Sequence, residues 1–317
     1  MSRQNIENGR YWNTGWQLVD GCTPCSPGCD HCWSAAMAHR FGRRENNPLF
    51  VTDPNGHFDG TVRTHPDRLS IPMRTRKPTV FAVWNDLFHE AVSAQFINDA
   101  WNTMFNDPRN TFLVLTKRPA IMEKWIRMAA IVRAWPLDEM CPDNIYHGLT
   151  ICNQAEADAK RIFLNVPGNL FLSLEPLLSS IDITGYLRCP LCGYTRQDQL
   201  IHGDHYLCPG KIPEVRAVIL GFETGPGARP GHPDWVRSVR DQCAAAGVPF
   251  FFKGWGEWSA PSQAPADVII PMVDAGAGFD PDSNIPRRFG RKAAGRLLDG
   301  RTHDELPWVK VLKEAIK

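Results

Sequence analysis

Residues 16–33 read WQLVDGCTPCSPGCDHCW, and the rest of the chain is best understood from this stretch outward. A short apolar run, Trp16–Val19, precedes four cysteines, and a helical pattern, Cys32–Phe41, follows them. An apolar run this short, bounded by polar residues, predicts a buried strand. The cysteines are therefore expected where a strand ends and a helix begins.

The same unit of strand, turn and helix recurs along the chain. Further strands are predicted at Val80–Val83, Thr111–Leu115, Ile145–Ile151, Leu170–Leu174, Ala217–Leu220 and Pro249–Phe252. Further helices are predicted at Ala94–Phe105 with Ser93 as N-cap, Ala120–Ala134 after Pro119, Ala155–Leu164 after Asn153, and Asp234–Ala246 before Gly247. Six or seven such units predict an α/β fold, a partial (β/α)6 barrel of the TIM type over residues 1–258. Its functional groups should lie at the carboxyl ends of the strands.

Three segments depart from this alternation. Residues 43–77 are polar and rich in Pro and Gly, which predicts a long excursion after the first helix. Residues 185–213 carry their own cysteines and predict a small inserted subdomain. Residues 259–317 predict a C-terminal extension that packs on the barrel.

Composition places the chain among ordinary proteins of the cytoplasm. The formal net charge is +1, and no apolar run approaches the roughly 20 residues of a membrane span. The N-terminus lacks a signal-peptide pattern, so we expect a monomer in a reducing cytoplasm, with no membrane partner. The ten cysteines are then not a disulfide set, and the scattered Cys141, Cys152 and Cys243 are expected to be core or surface thiols.

The first cysteine cluster has a spacing that indicates redox chemistry. Cys25, Cys29 and Cys32 form C-x3-C-x2-C with an aromatic residue before the last cysteine, the pattern of radical S-adenosylmethionine (SAM) enzymes. Three thiolates would hold a [4Fe–4S] cluster whose open iron binds SAM, and electron transfer would release a 5′-deoxyadenosyl radical. The alternatives are a closed zinc knuckle or a four-cysteine cluster used only for electron transfer.

Polar residues follow several of the predicted strands, as a cofactor site in a barrel requires. They are Asn85 and Asp86 after the second strand, Lys117 after the third, Glu175 after the fifth and Glu223 after the sixth. Carboxylates there could accept hydrogen bonds from the ribose or amino group of SAM, and Lys117 could meet its carboxylate. We therefore predict that these five residues bind the cofactor; the sequence does not identify a catalytic residue.

The second cysteine cluster predicts a structural zinc site. Cys189, Cys192, His205 and Cys208 form C-x2-C-x12-H-x2-C. Three thiolates and one imidazole suit tetrahedral zinc, and a closed site would stabilise a subdomain too small for its own core. His202 is the alternative histidine, and an accessory iron–sulfur cluster is the alternative occupant.

The chain resembles the phage Gp37/Gp68 family (DUF5131), which is radical-SAM-like. The resemblance is carried by GCTPCSPGCDHCW at 21–33, NDLFHEAV at 85–92, LTKRP at 115–119, LEPLLSSIDI at 174–183, residues 221–258 and residues 290–307. It implies a radical SAM barrel whose cluster is held by Cys22, Cys29 and Cys32. The general spacing instead selects Cys25 over Cys22. We favour Cys22, because the flanking residues match the family closely, and keep Cys25 as the alternative. Phe222 and Trp84 depart from the family pattern, which commonly has a small residue at either position.

The resemblance also suggests a substrate. The phage setting implies a base in DNA, most concretely a hypermodified thymidine that undergoes rearrangement or bond formation, as an isomerase, mutase or lyase would catalyse. The electron would come from a donor such as flavodoxin or ferredoxin, in the cytoplasm of the infected host. The alternatives are a radical SAM enzyme that acts on RNA or a small molecule, and a non-enzymatic zinc/iron–sulfur module that binds nucleic acid.

Overall fold

The computed structural model describes residues 3–42, 50–137, 139–189, 191–202, 213–265, 268 and 280–309. Within these ranges, seven parallel strands form one sheet in the order in which they occur along the chain. They are β1 Thr14–Trp16, β2 Val80–Val83, β3 Thr111–Thr116, β4 Ile145–Thr150, β5 Asn169–Leu174, β6 Val215–Gly221 and β7 Phe250–Gly254. The sheet curls into an open half-barrel with β1 and β7 at its edges.

Helices connect the strands and cover one face of the sheet. They are α1 Arg3–Glu7, α2 Trp33–Gly42, α3 Ala94–Phe105, α4 Pro119–Arg133, α5 Gln154–Ala159, α6 Thr184–Leu187, α7 Arg196–His202, α8 Pro233–Ala246 and α9 Arg291–Ala294. Each of β1 to β6 is followed by a helix before the next strand, whereas β7 leads into a short antiparallel pair, Trp258–Ser259 with Arg287–Arg288. The mixed α/β class is confirmed, and the fold is compatible with a partial barrel of the TIM type.

The two faces of the sheet have different cores. Every position of β4 and β5 is buried, because parallel strands are covered on both sides. One face packs on the helices through the larger apolar cluster. The other, which we call the inner face, holds a smaller cluster to which Tyr11, Leu306 and Trp308 contribute. The N-terminal segment and the C-terminal extension thus fill the inside of the half-barrel.

Two predicted boundaries were wrong, each for a local reason. The first strand was expected at Trp16–Val19, but the backbone turns after Trp16, where the Leu18 amide donates to the Trp16 carbonyl. Val19–Asp20 therefore leaves the sheet and pairs antiparallel with Arg63–Thr64. The helix predicted at Ala155–Leu164 ends as α5 at Ala159, and a separate 3-10 helix follows at Arg161–Asn165.

Several expectations fall partly outside the described residues. Of the predicted zinc ligands, His205 and Cys208 lie there, and the side chain of His202 is not described either. In the extension 259–317, the described residues contact the sheet through a bridge between Phe251 and Asp304. No helix in the described part of the chain is long and apolar enough to cross a bilayer.

A buried histidine lies between the sheet and the helices. His147 on β4 is fully buried, stacks on Trp101 at 5.3 Å, and has no hydrogen-bond partner for either ring nitrogen among the described residues. Burial lowers the pKa of His147 from 6.5 to about 3. The imidazole is therefore neutral in the folded protein at pH values where the unfolded chain protonates it.

This histidine predicts a loss of stability on the acid side. The unfolded state binds one more proton than the folded state between pH 3 and 6.5, so the free energy of unfolding falls as the pH drops from about 6.5 towards 3. We expect His147→Leu to reduce that slope, as measured by urea unfolding at several pH values. The exposed His57 provides the control, because His57→Leu should keep the wild-type slope. An unchanged slope in His147→Leu would contradict the assignment.

Candidate functional site

The four cysteines lie on a loop that crosses the carboxyl end of the sheet. Gly21 begins the loop with a positive φ of 83°, in a place where a Cβ would collide with the Thr61 carbonyl. At its centre, a Cβ on Gly28 would lie 2.4 Å from Cys152 Sγ and 3.3 Å from Lys117 Nζ. The loop therefore lies directly on residues that follow β3 and β4. We call residues 21–32 the cysteine loop.

The four thiols of this loop are neighbours. Cys25 and Cys29 interact most strongly, and the charge of Cys29 also acts on Cys22 and Cys32. Cys25 is exposed and the other three are partly buried. Within the residues that the structure describes, three or more His, Cys, Asp or Glu side chains do not already converge as a ligand set. The four thiols therefore form one group on a single short loop.

Electrostatics single out Cys29 as the thiolate of the group. The hydrogen bond from Cys25, assisted by Lys117, lowers the pKa of Cys29 to about 5. Burial and the Asp86 carboxylate raise the pKa of Cys22 to about 11, and burial also raises that of Cys32. The loop therefore already favours one thiolate, and the thiolate is the form of cysteine that ligates metal.

Arg118 holds the first end of the cysteine loop. Its Nη2 donates to the Thr23 carbonyl at 2.9 Å, and its Nη1 lies 3.8 Å from Cys22 Sγ. On the other side, Nη1 donates to Asp86 Oδ2 at 3.0 Å and Nε to Glu90 Oε2 at 2.7 Å. Arg118 is only 8% exposed, so these bonds replace water around a buried cation.

Asp86 is fully engaged in holding this arginine. Besides Arg118, its carboxylate accepts from Thr116 Oγ1 at 2.7 Å and from the amides of Phe88 at 3.0 Å and Lys117 at 3.3 Å. It is 6% exposed. In this geometry Asp86 positions Arg118, and its predicted contact with a cofactor stays a prediction.

Asn85 joins the segment after β1 to the start of α2. It adopts a positive φ of 58°, its Nδ2 donates to the Val19 carbonyl at 2.7 Å, and its Oδ1 accepts from Ser34 Oγ at 2.7 Å. Next along the chain, His89 is buried, and its Nε2 lies 3.0 Å from Thr23 Oγ1. Since His89 Nδ1 accepts from the Ala91 amide, Nε2 carries the proton and donates to Thr23. The segment after β2 thus supports both ends of the structure around the cysteines.

Arg229 holds the second end of the cysteine loop. Its side chain pairs with Glu223, donates from Nη2 to the Pro27 carbonyl at 2.8 Å, and donates from Nη1 to Asp30 Oδ2 at 3.1 Å. The neighbouring Gly227, with a φ of 77°, lies against the ring of His31. The Glu223 side chain is 3% exposed, so this predicted cofactor residue is engaged with Arg229.

Glu175 and Lys253 form an ion pair on the inner face. Lys253 Nζ lies 2.6 Å from Glu175 Oε1, while Glu175 Oε2 accepts from Tyr11 Oη at 2.9 Å and Ser173 Oγ at 3.1 Å. Lys253 is 43% exposed at its side chain. This pair is therefore more open to a ligand than the pair of Glu223 and Arg229.

Lys117 and Cys152 lie beneath the loop. Lys117 Nζ is 3.8 Å from Cys152 Sγ, which in turn is 3.7 Å from Ser26 Oγ. Burial lowers the pKa of Lys117, but the charges of Cys152, Cys29 and Glu156 outweigh it and the pKa is raised overall. Lys117 is thus a cation beside the thiols. With Arg118 it would offset the charge of a thiolate-bound cluster, so the donor set fits a [4Fe–4S] cluster.

The described half of the second cysteine cluster is a tight turn. Arg188 pairs antiparallel with Thr195, the Cys189 amide donates to the Tyr194 carbonyl at 2.7 Å, and the Gly193 amide donates to the Cys189 carbonyl at 2.9 Å. Gly193 takes a positive φ of 75°. A turn that brings Cys189 and Cys192 together fits the geometry of a zinc knuckle.

Three residues of the site were not predicted as such from the sequence. Cys152 was expected to be a core or surface thiol, and it is buried, but it also lies under the cysteine loop. Its place directly after β4 was the available signal, since Lys117 and Glu175 occupy the same place on neighbouring strands. Arg229 and Tyr11 reach the site over long sequence separations, for which local patterns give no signal, whereas the sequence had offered Lys253 as a candidate to face the site.

The role of Arg229 predicts a specific defect. Arg229→Met removes the cation that compensates the buried Glu223 and releases Pro27 and Asp30. We expect unfolding to become easier by about 1–3 kcal/mol, the cost of an unpaired buried charge near the surface. The cysteines should also react faster with iodoacetamide, as followed by mass spectrometry.

A double variant separates these two effects. Arg229→Met with Glu223→Gln should regain much of the stability, because the unpaired charge is gone, but should keep the faster alkylation. Arg237→Met is the matched control, since Arg237 pairs with Asp299 instead. If alkylation returns to the wild-type rate in the double variant, Arg229 does not hold the loop.

Comparison with known proteins places the chain in one family. The family model described as "Protein of unknown function (DUF5131)" matches residues 6–307, which is most of the chain. No curated protein and no solved structure matched the chain. The match covers the cysteine loop, both arginines that hold it and the Glu175–Lys253 pair. The chain therefore belongs to the DUF5131 family.

Proposed function

We propose that the protein is a radical SAM enzyme whose cysteine loop holds a [4Fe–4S] cluster at the mouth of the half-barrel. The proposal is carried by one observation, the group of four thiols fixed at the carboxyl edge of a parallel sheet between Arg118 and Arg229. When bound, such a cluster supplies the electron for reductive cleavage of SAM to a 5′-deoxyadenosyl radical. Chemistry at this edge is what a parallel α/β barrel favours.

Cys29 and Cys32 are two of the proposed ligands, with Cys22 or Cys25 as the third. Cys22 is supported by its position beside Arg118, at the end of the loop that is most firmly held. Cys25 is supported by the C-x3-C-x2-C spacing that it forms with Cys29 and Cys32. Only three can bind if one iron is to stay open for SAM, so the fourth cysteine is surplus.

The chain's own residues would prepare the cofactor site. Lys117, beside the thiols, can receive the carboxylate of SAM, while Asn85, Asp86 and Glu223 keep the loop in position. Glu175 lies further along the inner face with Lys253 as its partner. We keep Asn85, Asp86, Lys117 and Glu223 as proposed cofactor residues, with Asn85, Asp86 and Glu223 acting through the residues that they hold. Glu175, paired with Lys253, is a proposed contact for whichever ligand occupies the inner face.

We propose a base in DNA, such as a hypermodified thymidine, as the substrate. Besides the family resemblance, a basic segment at the mouth supports a polyanion. Arg287 and Arg288 are exposed on their strand, and Arg288 Nη2 donates to the Gly225 carbonyl at 3.2 Å, beside the loop that contacts His31. Arg291 and Lys292 follow on α9. Contacts between such residues and phosphates make the affinity for a nucleic acid fall as the salt concentration rises. RNA would show the same salt dependence as DNA, whereas a small neutral molecule would not.

We also propose that Cys189 and Cys192 belong to a structural zinc site, completed by His205 and Cys208. The turn at Gly193 supports the first pair of ligands. The site would stabilise the segment between β5 and β6 and take no part in the redox chemistry.

Single cysteine substitutions test the cluster. After anaerobic reconstitution, Cys29→Ala and Cys32→Ala should each lose about tenfold or more of the bound iron and of 5′-deoxyadenosine formation, because a three-thiolate site lacks spare ligands. One of Cys22→Ala and Cys25→Ala should show the same loss and the other should not. Iron analysis and chromatography of the SAM products measure both effects.

The control is Cys243→Ala on α8, which removes a buried thiol outside the loop. It should keep the wild-type iron content. A reconstituted wild-type protein that binds zinc alone, or that holds a cluster but makes no 5′-deoxyadenosine from SAM, contradicts the proposal. The second result would favour the non-enzymatic module.

Metal analysis of a second pair tests the zinc site. Cys192→Ser should lower the zinc content from about one atom per chain to nearly none and leave the iron content unchanged, because a closed site needs all four ligands. Cys141→Ser, at a buried thiol outside both clusters, is the control. Iron loss in Cys192→Ser would instead indicate an accessory iron–sulfur cluster.

A further inference from the structure

Three tryptophans line the inner face at the β1 edge of the sheet. Trp84 directly follows β2. The centroid of its indole ring lies 5.4 Å from that of Trp33 and 6.1 Å from that of Trp12, and both of these rings are nearly perpendicular to it. Trp33 is 50% exposed and adjoins Cys32 of the cysteine loop, and the Arg10 guanidinium lies 4.7 Å over the ring of Trp12. Trp12 and Trp84 are half-buried, so Trp33 has the most exposed indole of the three, beside the proposed cluster.

The position of Trp84 depends on a glycine. Gly15 on β1 pairs with Ala82, and a Cβ there would lie 2.3 Å from Trp84 Cε2 and 2.4 Å from its Nε1. The indole therefore lies flat against the β1 backbone, inside the half-barrel. A side chain at position 15 would force it out.

Polar groups continue from the aromatic surface along the same face. Tyr11 and Trp12 are consecutive and both pack on the inner apolar cluster. Tyr11 Oη donates to Glu175, which pairs with Lys253. Tyr11, which directly precedes Trp12, links the aromatic surface to a carboxylate acceptor and an ammonium donor that lie 2.6 Å apart. A planar ring with a donor beside an acceptor on one edge could contact both.

We infer that Trp84, Trp12 and Trp33 form a stacking site for a nitrogen heterocycle of the substrate, whose polar edge meets Glu175 and Lys253. The inference rests on the proposed function for the identity of the reaction, but the binding site stands on its own contacts. A nucleobase has the required chemistry, since it combines an aromatic face with adjacent donor and acceptor atoms. Glu175 and Lys253 then serve the substrate rather than the amino or ribose groups of SAM.

Thymidine is the probe, because its imide edge is distinct from the adenine that SAM carries. Calorimetric titration of the full chain with thymidine should give saturable binding, weakened about tenfold by Trp84→Ala, the loss typical of one stacked base. Gly15→Ala should weaken it similarly by displacing the indole. Trp33→Ala, at a half-exposed position, provides a variant that keeps the fold if the other two do not. Trp135→Ala, on the helical side, should bind like the wild type.

A methylated ligand tests the polar edge. N3-methylthymidine lacks the imide donor and should bind the wild-type protein about tenfold more weakly than thymidine, whereas Glu175→Leu should bind both equally. The inference is overturned if the wild-type protein does not bind thymidine. It is also overturned if the Trp84, Gly15 and Trp33 variants all bind thymidine as tightly as the wild type. So does a Trp84→Ala variant that loses SAM binding but keeps thymidine, which would assign the surface to the cofactor's adenine.

Different experiments test the stacking site and the proposed cleavage of SAM. Thymidine titration needs neither iron nor SAM, so the stacking site can be confirmed in a protein that makes no 5′-deoxyadenosine. Conversely, a protein that cleaves SAM without binding thymidine keeps the proposed function and loses this inference. Titration with a ten-nucleotide oligothymidylate at two salt concentrations then distinguishes a base carried on a polymer from a free nucleoside.

Discussion

The buried guanidinium of Arg118 is the interaction on which the mouth of this protein depends. A charge with so little exposure costs several kcal/mol unless its surroundings supply hydrogen bonds. Here Asp86, Glu90 and the Thr23 carbonyl supply them. Because Asp86 follows β2, Arg118 follows β3 and Thr23 belongs to the cysteine loop, one side chain fixes three separate segments. Movement of the loop at this end would leave a buried cation short of a partner.

The other end of the loop is held less tightly. Arg229 makes as many contacts as Arg118, but its side chain is 34% exposed, so water can replace part of what the loop provides. The segment around Pro27 and Asp30 can therefore adjust at lower cost than the segment around Cys22. The register of the loop is therefore set mainly at its Cys22 end.

The sequence predicted the parallel sheet well because its strands are buried on both faces. β4 and β5 have apolar residues on either side, so they appear as continuous apolar runs of the right length. Helix limits were also predictable where a local signal exists: Ser93 accepts from the Phe96 amide, and Gly247 ends α8 with a positive φ. The bend after Trp16 has no such signal, because it depends on the distant partner strand Arg63–Thr64.

In the candidate site, too, some features have a local signal in the sequence and others do not. Residues at strand ends, such as Lys117 and Glu175, could be predicted because parallel strands bring their carboxyl ends to one edge. What each residue does there could not be predicted. Asp86 was expected to meet a cofactor, whereas its oxygens are occupied by Arg118, Thr116 and two amides. Whether Asp86 is free or engaged depends on the side chains of Thr116 and Arg118, 30 and 32 residues away, which leave no local trace.

The partners of two lysines divide the mouth into two chemical halves. Lys117 faces thiols, with Cys152 at 3.8 Å and the charge of Cys29 nearby, whereas Lys253 faces the carboxylate of Glu175. A cation beside thiols favours an anionic cluster, while a paired cation and anion together favour a neutral polar ligand with both donors and acceptors. Because Lys117 follows β3 and Lys253 lies near the end of β7, the two halves occupy different parts of the curled sheet. A cofactor on the thiol side and a substrate on the ion-pair side could then be held at once, with the tryptophans around Trp84 at the edge where Cys32 leads into α2.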